Sequence, residues 1–268
     1  MKVTVIYENH AGFRKGLLGA HGFSALVEHG GTRVLVDTGT DGGVLLNNMD
    51  ALGIAPDSID FLFLTHGHYD HTGGLKALLE SREKPLKIVA HPGIFVRRVA
   101  LKPRKREIGI PFTRQELESL GAEFVLRKGP FEFAPGFWSS GEVPRRTWDR
   151  TVGYLERDGK LEKDPVPDDI ALVVDMGQSA AVITGCGHSG VLNIAWHAAD
   201  VLGKPVGALI GGLHLLGAKR ELLDEVIEKI DAERLYAGHC TGIDSYAYLK
   251  AGLGDRVEPL HVGKTIEL

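Results

Sequence analysis

Apolar positions alternate at Val3–Tyr7 and Phe23–Val27, the period of a strand with one face in a core. Arg33-Val34-Leu35-Val36-Asp37 repeats the pattern after a His29-Gly30-Gly31 turn, so the second and third strands are expected to form a hairpin. A helix is expected over Asp41–Leu52, N-capped by Thr40 or Asp41 and ended by Gly53. Asp60–Leu64 is apolar without alternation, as in a strand buried on both faces. A helix over Gly74–Ser81 and a strand over Leu86–Ala90 complete this half. The second half repeats the order. Ile170–Val174 and Ala180–Thr184 read as a hairpin, Val191–Leu202 as a helix and Val206–Ile210 as a buried strand. In Ala218–Asp231, Leu222, Leu223, Val226, Ile227 and Ile230 share one helical face, opposite Glu221, Asp224, Glu225 and Glu228. Arg234–Ala237 is a last strand, cut off at Gly238-His239. Two halves that open with hairpins and continue in strand–helix alternation predict two packed sheets with helices outside. We therefore expect one domain over 1–268, with an insert at about 82–165 covering the site.

Composition narrows the field. Of 268 residues, 43% are apolar and 25% charged, near the globular average. No run approaches the roughly 18 apolar residues of a membrane span. The five-residue apolar stretch at the start is too short for a secretory signal core, so a cytoplasmic, non-membrane protein is expected. The net charge of −4 provides no basic field for nucleic acid. Two cysteines are too few for a disulfide scaffold, and each lies within two residues of a histidine. Glycine is the excess, at 35 residues, and many sit beside His or Asp, where backbone must pass close to a site. Walker-type, G-x-G-x-x-G and G-x-S-x-G motifs are absent.

Thr65-His66-Gly67-His68-Tyr69-Asp70-His71 is the most informative stretch. His66 and His68, two apart on extended chain, project to one side. Gly67 lets the backbone stay tight, and the turn carries Asp70 and His71 a few ångströms further. One strand end can thus supply two adjacent metals, His66 and His68 to one, Asp70 and His71 to the other. Imidazole with carboxylate suits zinc first, with iron, manganese or magnesium as alternatives.

THGHYDHTGGL closely resembles the metal-binding motif of the metallo-β-lactamase superfamily, and Val34–Gly39 resembles its strand ending in Asp. Val182–Asn193, Tyr236–Gly242, Gly211–Leu215 and Gly22–Ser24 resemble one subfamily of metal-dependent hydrolases. Some of its members are assigned as the dihydropterin synthase of methanopterin biosynthesis. The resemblance implies an αββα sandwich with two divalent metals where the sheets meet. It implies His66, His68, Asp70 and His71 as ligands, His239 as the late histidine of the second metal, and Asp37 as the acid behind the site. The pattern departs from the superfamily at 164–169, where a histidine-bearing Pro-Gly-His-Thr-Pro loop is replaced by Asp164-Pro165-Val166-Pro167-Asp168-Asp169. Ser140–Pro144 is a second possible counterpart, with Glu142 at the histidine position. The usual bridging Asp is replaced by Cys186, and His188 can take over the missing imidazole. Cys186 is either a soft ligand or a small buried residue lining the wall. Glu142 and Asp164 are either ligands or loop caps.

His214 is a candidate proton donor, substrate contact or ligand partner, set against an ordinary structural histidine; His21 and His91 are weaker candidates. Arg145 and Arg146 are candidate anion contacts, because Arg forks bind phosphate bidentately. The basic run Arg97–Arg106 reads first as a solvated face. Two cations would lower the pKa of a shared water towards about 7. This favours a binuclear metal-dependent hydrolase of a small anionic ester or phosphate compound, with Asp70 and His214 as catalytic groups. The alternatives are a transferase joining a dihydropterin-methyl diphosphate to a ribofuranosylaminobenzene phosphate, and a non-catalytic metal-binding effector.

Overall fold

The first strands bury both faces rather than the one their alternation suggested, and each face meets a different core. In the computed structural model, which describes residues 1–268, Val34 and Val36 enter the core between two sheets, while Leu35 enters the core beneath helices. The same division separates Phe63 from Leu62 and Leu64, Ile183 from Val182, and Ile210 from Leu209. Strands buried on both faces are therefore apolar throughout.

The first sheet runs, in spatial order, Thr265–Glu267, Lys2–Tyr7, Ser24–His29, Thr32–Val36, Phe61–Phe63, Leu86–Ala90 and Ala122–Leu126. The second runs Val257–Pro259, Ala232–Gly238, Val206–Gly212, Ala180–Thr184, Leu172–Asp175, Phe137–Ser139 and Phe131–Ala134. Each sheet is antiparallel on one side and parallel on the other. Both expected hairpins form. Helices Gly42–Ala51, Leu75–Glu80 and Arg114–Ser119 cover the outer face of the first sheet, and Val191–Leu202, Arg220–Lys229 and Ile243–Leu253 that of the second. The result is the expected αββα sandwich. The helix at Gly42–Ala51 is capped by the Asp41 side chain, and Leu223, Val226 and Ile230 of the amphipathic segment are buried against the second sheet. No helix is long and apolar enough to cross a membrane.

The stretch 82–165 divides its residues between two structures. Its strands Leu86–Ala90, Ala122–Leu126, Phe131–Ala134 and Phe137–Ser139 are integral to the two large sheets. Arg98–Ala100, Arg106–Glu107, Tyr154–Arg157 and Lys160–Lys163 make a small four-stranded sheet. That sheet stands against the histidine-rich turn, where His68 bridges Gly109 and the Tyr69 N–H donates to Ile108 O.

Candidate metal centre

The candidate ligands leave the carboxyl ends of strands from both sheets, the edge where open α/β sheets present ligand sites. Asp37 follows Thr32–Val36, and the histidine-rich turn follows Phe61–Phe63. Cys186 and His188 follow Ala180–Thr184, His214 follows Val206–Gly212, and His239 follows Ala232–Gly238. Asp37, His214 and His239 all have positive φ, of 53°, 50° and 47°. Left-handed backbone at non-glycine residues is costly and clusters at functional sites. A Cβ on Gly67 would lie 2.2 Å from Ile94 O, so only glycine lets His66 and His68 leave the strand so tightly.

Two donor sets converge here. His66, His68 and His188 form one, and Asp70, His71, Cys186 and His239 form the other. His188 stands with His66 and His68, where it could supply the imidazole that the 164–169 loop lacks. Within the second set, Cys186 Sγ lies 3.2 Å from His71 Nε2 and 3.3 Å from His239 Nε2. Asp70 Oδ2 lies 3.4 Å from His239 Nε2 and 3.6 Å from His71 Nε2. A tetrahedral zinc with bonds of about 2.0–2.3 Å sets neighbouring ligand atoms about 3.3–3.8 Å apart, so this set fits an ion. In the first set, His188 Nε2 and His68 Nδ1 are 3.2 Å apart, and His66 Nε2 is buried with no hydrogen-bond partner. A bound cation would satisfy that orphaned nitrogen.

Every ring but that of His68, whose Nε2 is buried without a partner, is aimed by its far nitrogen. His71 Nδ1 donates to Asp37 Oδ2 at 2.7 Å. His66 Nδ1 donates to Thr65 Oγ1 at 3.0 Å, and that hydroxyl donates to the same Asp37 oxygen at 2.8 Å. His188 Nδ1 donates to Arg150 O at 2.8 Å, and His239 Nδ1 to Asn9 Oδ1 at 3.0 Å. Such partners fix the tautomer and leave the inward nitrogen as a lone-pair donor. Burial pushes His66, His68 and His239 below the ordinary histidine range, and His188 down to about 4, so these rings are neutral at pH 7. Burial also opposes charge on His71, yet Asp70 and Asp37 lift it to about 9. Asp70 stays well below the usual carboxylate range despite its burial, held ionised by His71, His21 and His239. A metal cation would replace the proton on His71.

The other candidates are distributed differently. His214 lines the cleft beside the first donor set, its ring 4.3 Å from that of His188. Arg145 and Arg146, expected to meet an anion, do not line the cleft. Arg145 is turned towards Asp149, Val166 O and Ser189, and Arg146 pairs with Asp200 on the outer helix. In the basic run Arg97, Arg98 and Lys105 pair with acids, and Arg106 reaches the cleft. Glu142 pairs with His91 and Asp164 with the buried Arg98, so neither joins a donor set.

Sequence reasoning passed over several supports. Asn9 has no motif, and only folding brings it to His239. Cys240, weighed only for its neighbouring histidine, lies beside Cys186. His21, a weaker candidate in the sequence, was not passed over, and its Nε2 lies 3.2 Å from Asp70 Oδ2. Asp168 and Asp169 hold the Gly67 and Ser189 N–H groups. The donors open on a cleft of about 270 Å³ whose walls include Tyr69, Arg106, Val152 and Leu216, close to the lower end of the usual range for a small-molecule site.

Residues 19–202 match the family model described as the metallo-beta-lactamase superfamily. The chain is 31% identical, over 100% of its length and 96% of the relative's, to a 7,8-dihydropterin-6-methyl-4-(beta-D-ribofuranosyl)-aminobenzene-5'-phosphate synthase of Methanocaldococcus jannaschii. It is 30% identical to an uncharacterized protein of the same organism, over 98% of this chain and 99% of the other. A crystal structure described as a metal-dependent hydrolase of the beta-lactamase superfamily superposes with a TM-score of 0.86 at 26% identity, covering 100% of this chain and 99% of that one. The metallo-beta-lactamase fold protein YhfI of Bacillus subtilis shares the fold at a TM-score of 0.62 and 15% identity, covering 99% of both chains. The chain belongs to the metallo-beta-lactamase superfamily.

Proposed function

We propose that this protein is a binuclear metal-dependent hydrolase of a small anionic ester or phosphate compound. The observation that carries the reading is that one buried carboxylate, Asp37, aims a ring in each donor set, His71 directly and His66 through Thr65. His66, His68 and His188 would hold one cation, and Asp70, His71 and His239 the other, with Cys186 beside them. Such cations supply Lewis acidity, which activates water and neutralises charge gathering on a phosphoryl or carbonyl oxygen. Arg106, on the cleft wall, would orient the anionic part of the substrate. His21, raised above the ordinary histidine range by its hydrogen bond to Asp70, lines the cleft and would be placed to give a proton to a leaving group. Val152 and Leu216 supply apolar walls to the cleft.

A second reading is favoured by the full-length similarity to the synthase. The same cleft would then hold a pterin-like diphosphate and an aryl amine, with Arg106 facing the leaving diphosphate. Both readings are tested on metal-loaded protein. A panel of phosphate esters, carboxylic esters and lactones is assayed with and without chelator, and a dihydropterin-methyl diphosphate is assayed with and without an aryl amine. Chelator-sensitive turnover of a panel substrate supports hydrolysis. Diphosphate release that requires the amine supports the transferase. Turnover in neither assay contradicts both.

A further inference from the structure

Three adjacent parallel strands of the second sheet, Ala180–Thr184, Val206–Gly212 and Ala232–Gly238, deliver Cys186, His214 and Cys240 to one corner of the cleft. A ring nitrogen of His214 and the two sulfurs lie within 4.8 Å of one another. Cys240 Sγ is held in place, 3.3 Å from the His214 N–H and 3.2 Å from Cys186 O. His214 adopts its unusual positive φ here, and its Nδ1 is buried without a hydrogen-bond partner. Neither His214 nor Cys240 belongs to the donor sets of the paired centre. Both thiols are free.

We propose that Cys186, His214 and Cys240 form a third metal site, selective for a soft divalent cation such as zinc, on the wall of the same cleft. Two thiolates and one imidazole are a soft donor set that favours zinc over magnesium or manganese. Three protein ligands leave one position open towards the cleft, the pattern of a site that can meet a further ligand. Cys186 is shared, since its sulfur also contacts His71 Nε2 and His239 Nε2. The third ion would therefore sit beside the second of the pair. On binding, two thiol protons go to solvent and two sulfur–metal bonds form, with no change of oxidation state. Occupancy would engage His214 and remove it from proton transfer, so this role excludes the catalytic one expected from the sequence.

Stepwise cadmium loading of the full, reduced, metal-stripped chain tests the site, read by metal uptake and by the ultraviolet thiolate-to-cadmium charge-transfer band. Cys240→Ser should take up one equivalent fewer than the parent chain and lose at least half of the band. His68→Ala, which disables only the paired centre, should keep the band while losing uptake, so failure of the pair is distinguishable from failure of the third site. Circular dichroism confirms that each variant is folded, and Cys240→Ala replaces Cys240→Ser if the latter is not. Equal uptake and an undiminished band in the folded Cys240 variant would overturn the proposal.

Discussion

Asp168 Oδ2 accepts the backbone N–H of Gly67 at 2.9 Å. Its neighbour Asp169 accepts the Ser189 N–H at 2.7 Å. Two successive carboxylates thus clamp the segment carrying His66 and His68 to the segment carrying His188. The buried Arg98 balances this charge through Asp168 and Asp164. Breaking a buried ion pair from one side costs about 3–5 kcal/mol. Asp168→Ala should therefore lower unfolding free energy by about that amount, measured by urea denaturation. It should also weaken metal retention in the first donor set. A stability change below about 1 kcal/mol would show that the clamp carries no strain-bearing role.

Asp37 serves both donor sets, so its loss should weaken both metals. Removing such an orienting partner typically costs about 10–100-fold in metal affinity. Asp37→Ala should show that loss for both ions by competition with a chelating dye. Thr65→Val interrupts only the path to His66 and should weaken one ion alone. Equal effects from the two substitutions would contradict the branched relay.

Gly185→Ala tests the same relay by crowding. A Cβ there would lie 2.1 Å from Thr65 Oγ1 and 2.7 Å from Asp37 Oδ2. The backbone φ at Gly185 is not in the left-handed region, so the effect is one of space. We expect a folded protein with metal affinity reduced by about 10-fold or more, read by the same competition. Unchanged affinity would mean that the hydroxyl and carboxylate can move aside freely.

The metal-stripped protein should lose stability on acidification. His66, His68, His188 and His239 all titrate below their unfolded value near 6.5, with His188 at about 4. As pH falls through that window, the unfolded chain binds protons that the folded chain refuses, and unfolding is favoured. His71 acts in the opposite sense, since its contribution is present below pH 6.5 and fades as pH rises through about 9. Urea midpoints of stripped protein should fall between about pH 6.5 and 4. A flat profile there would contradict buried neutral imidazoles.

Much of this was legible in the residues because period and spacing are local properties. The buried strand before Thr65, the Asp41 cap and the Val191–Leu202 helix follow directly from them. The histidine-rich turn announced itself because its donors are contiguous. Supports contributed from far along the chain were not legible: Asn9 reaches His239 across 230 positions, and Asp168 reaches Gly67 across 101. Arg145 and Arg146 misled because a forked cation looks the same whether it faces a ligand or, as Arg146 does, Asp200. The Arg114–Ser119 helix did carry a local signal, the Thr113/Glu116 capping box, which was passed over inside a stretch read as an insert.

The central claim is that two donor sets each hold a divalent ion. Metal content measured by mass spectrometry on the intact chain, compared with the His66→Ala/His71→Ala double variant, tests it most directly. The account predicts about two fewer ions per chain in a variant that remains folded. Metal content unchanged by the double substitution, or a parent chain that retains no divalent ion after loading, would contradict it.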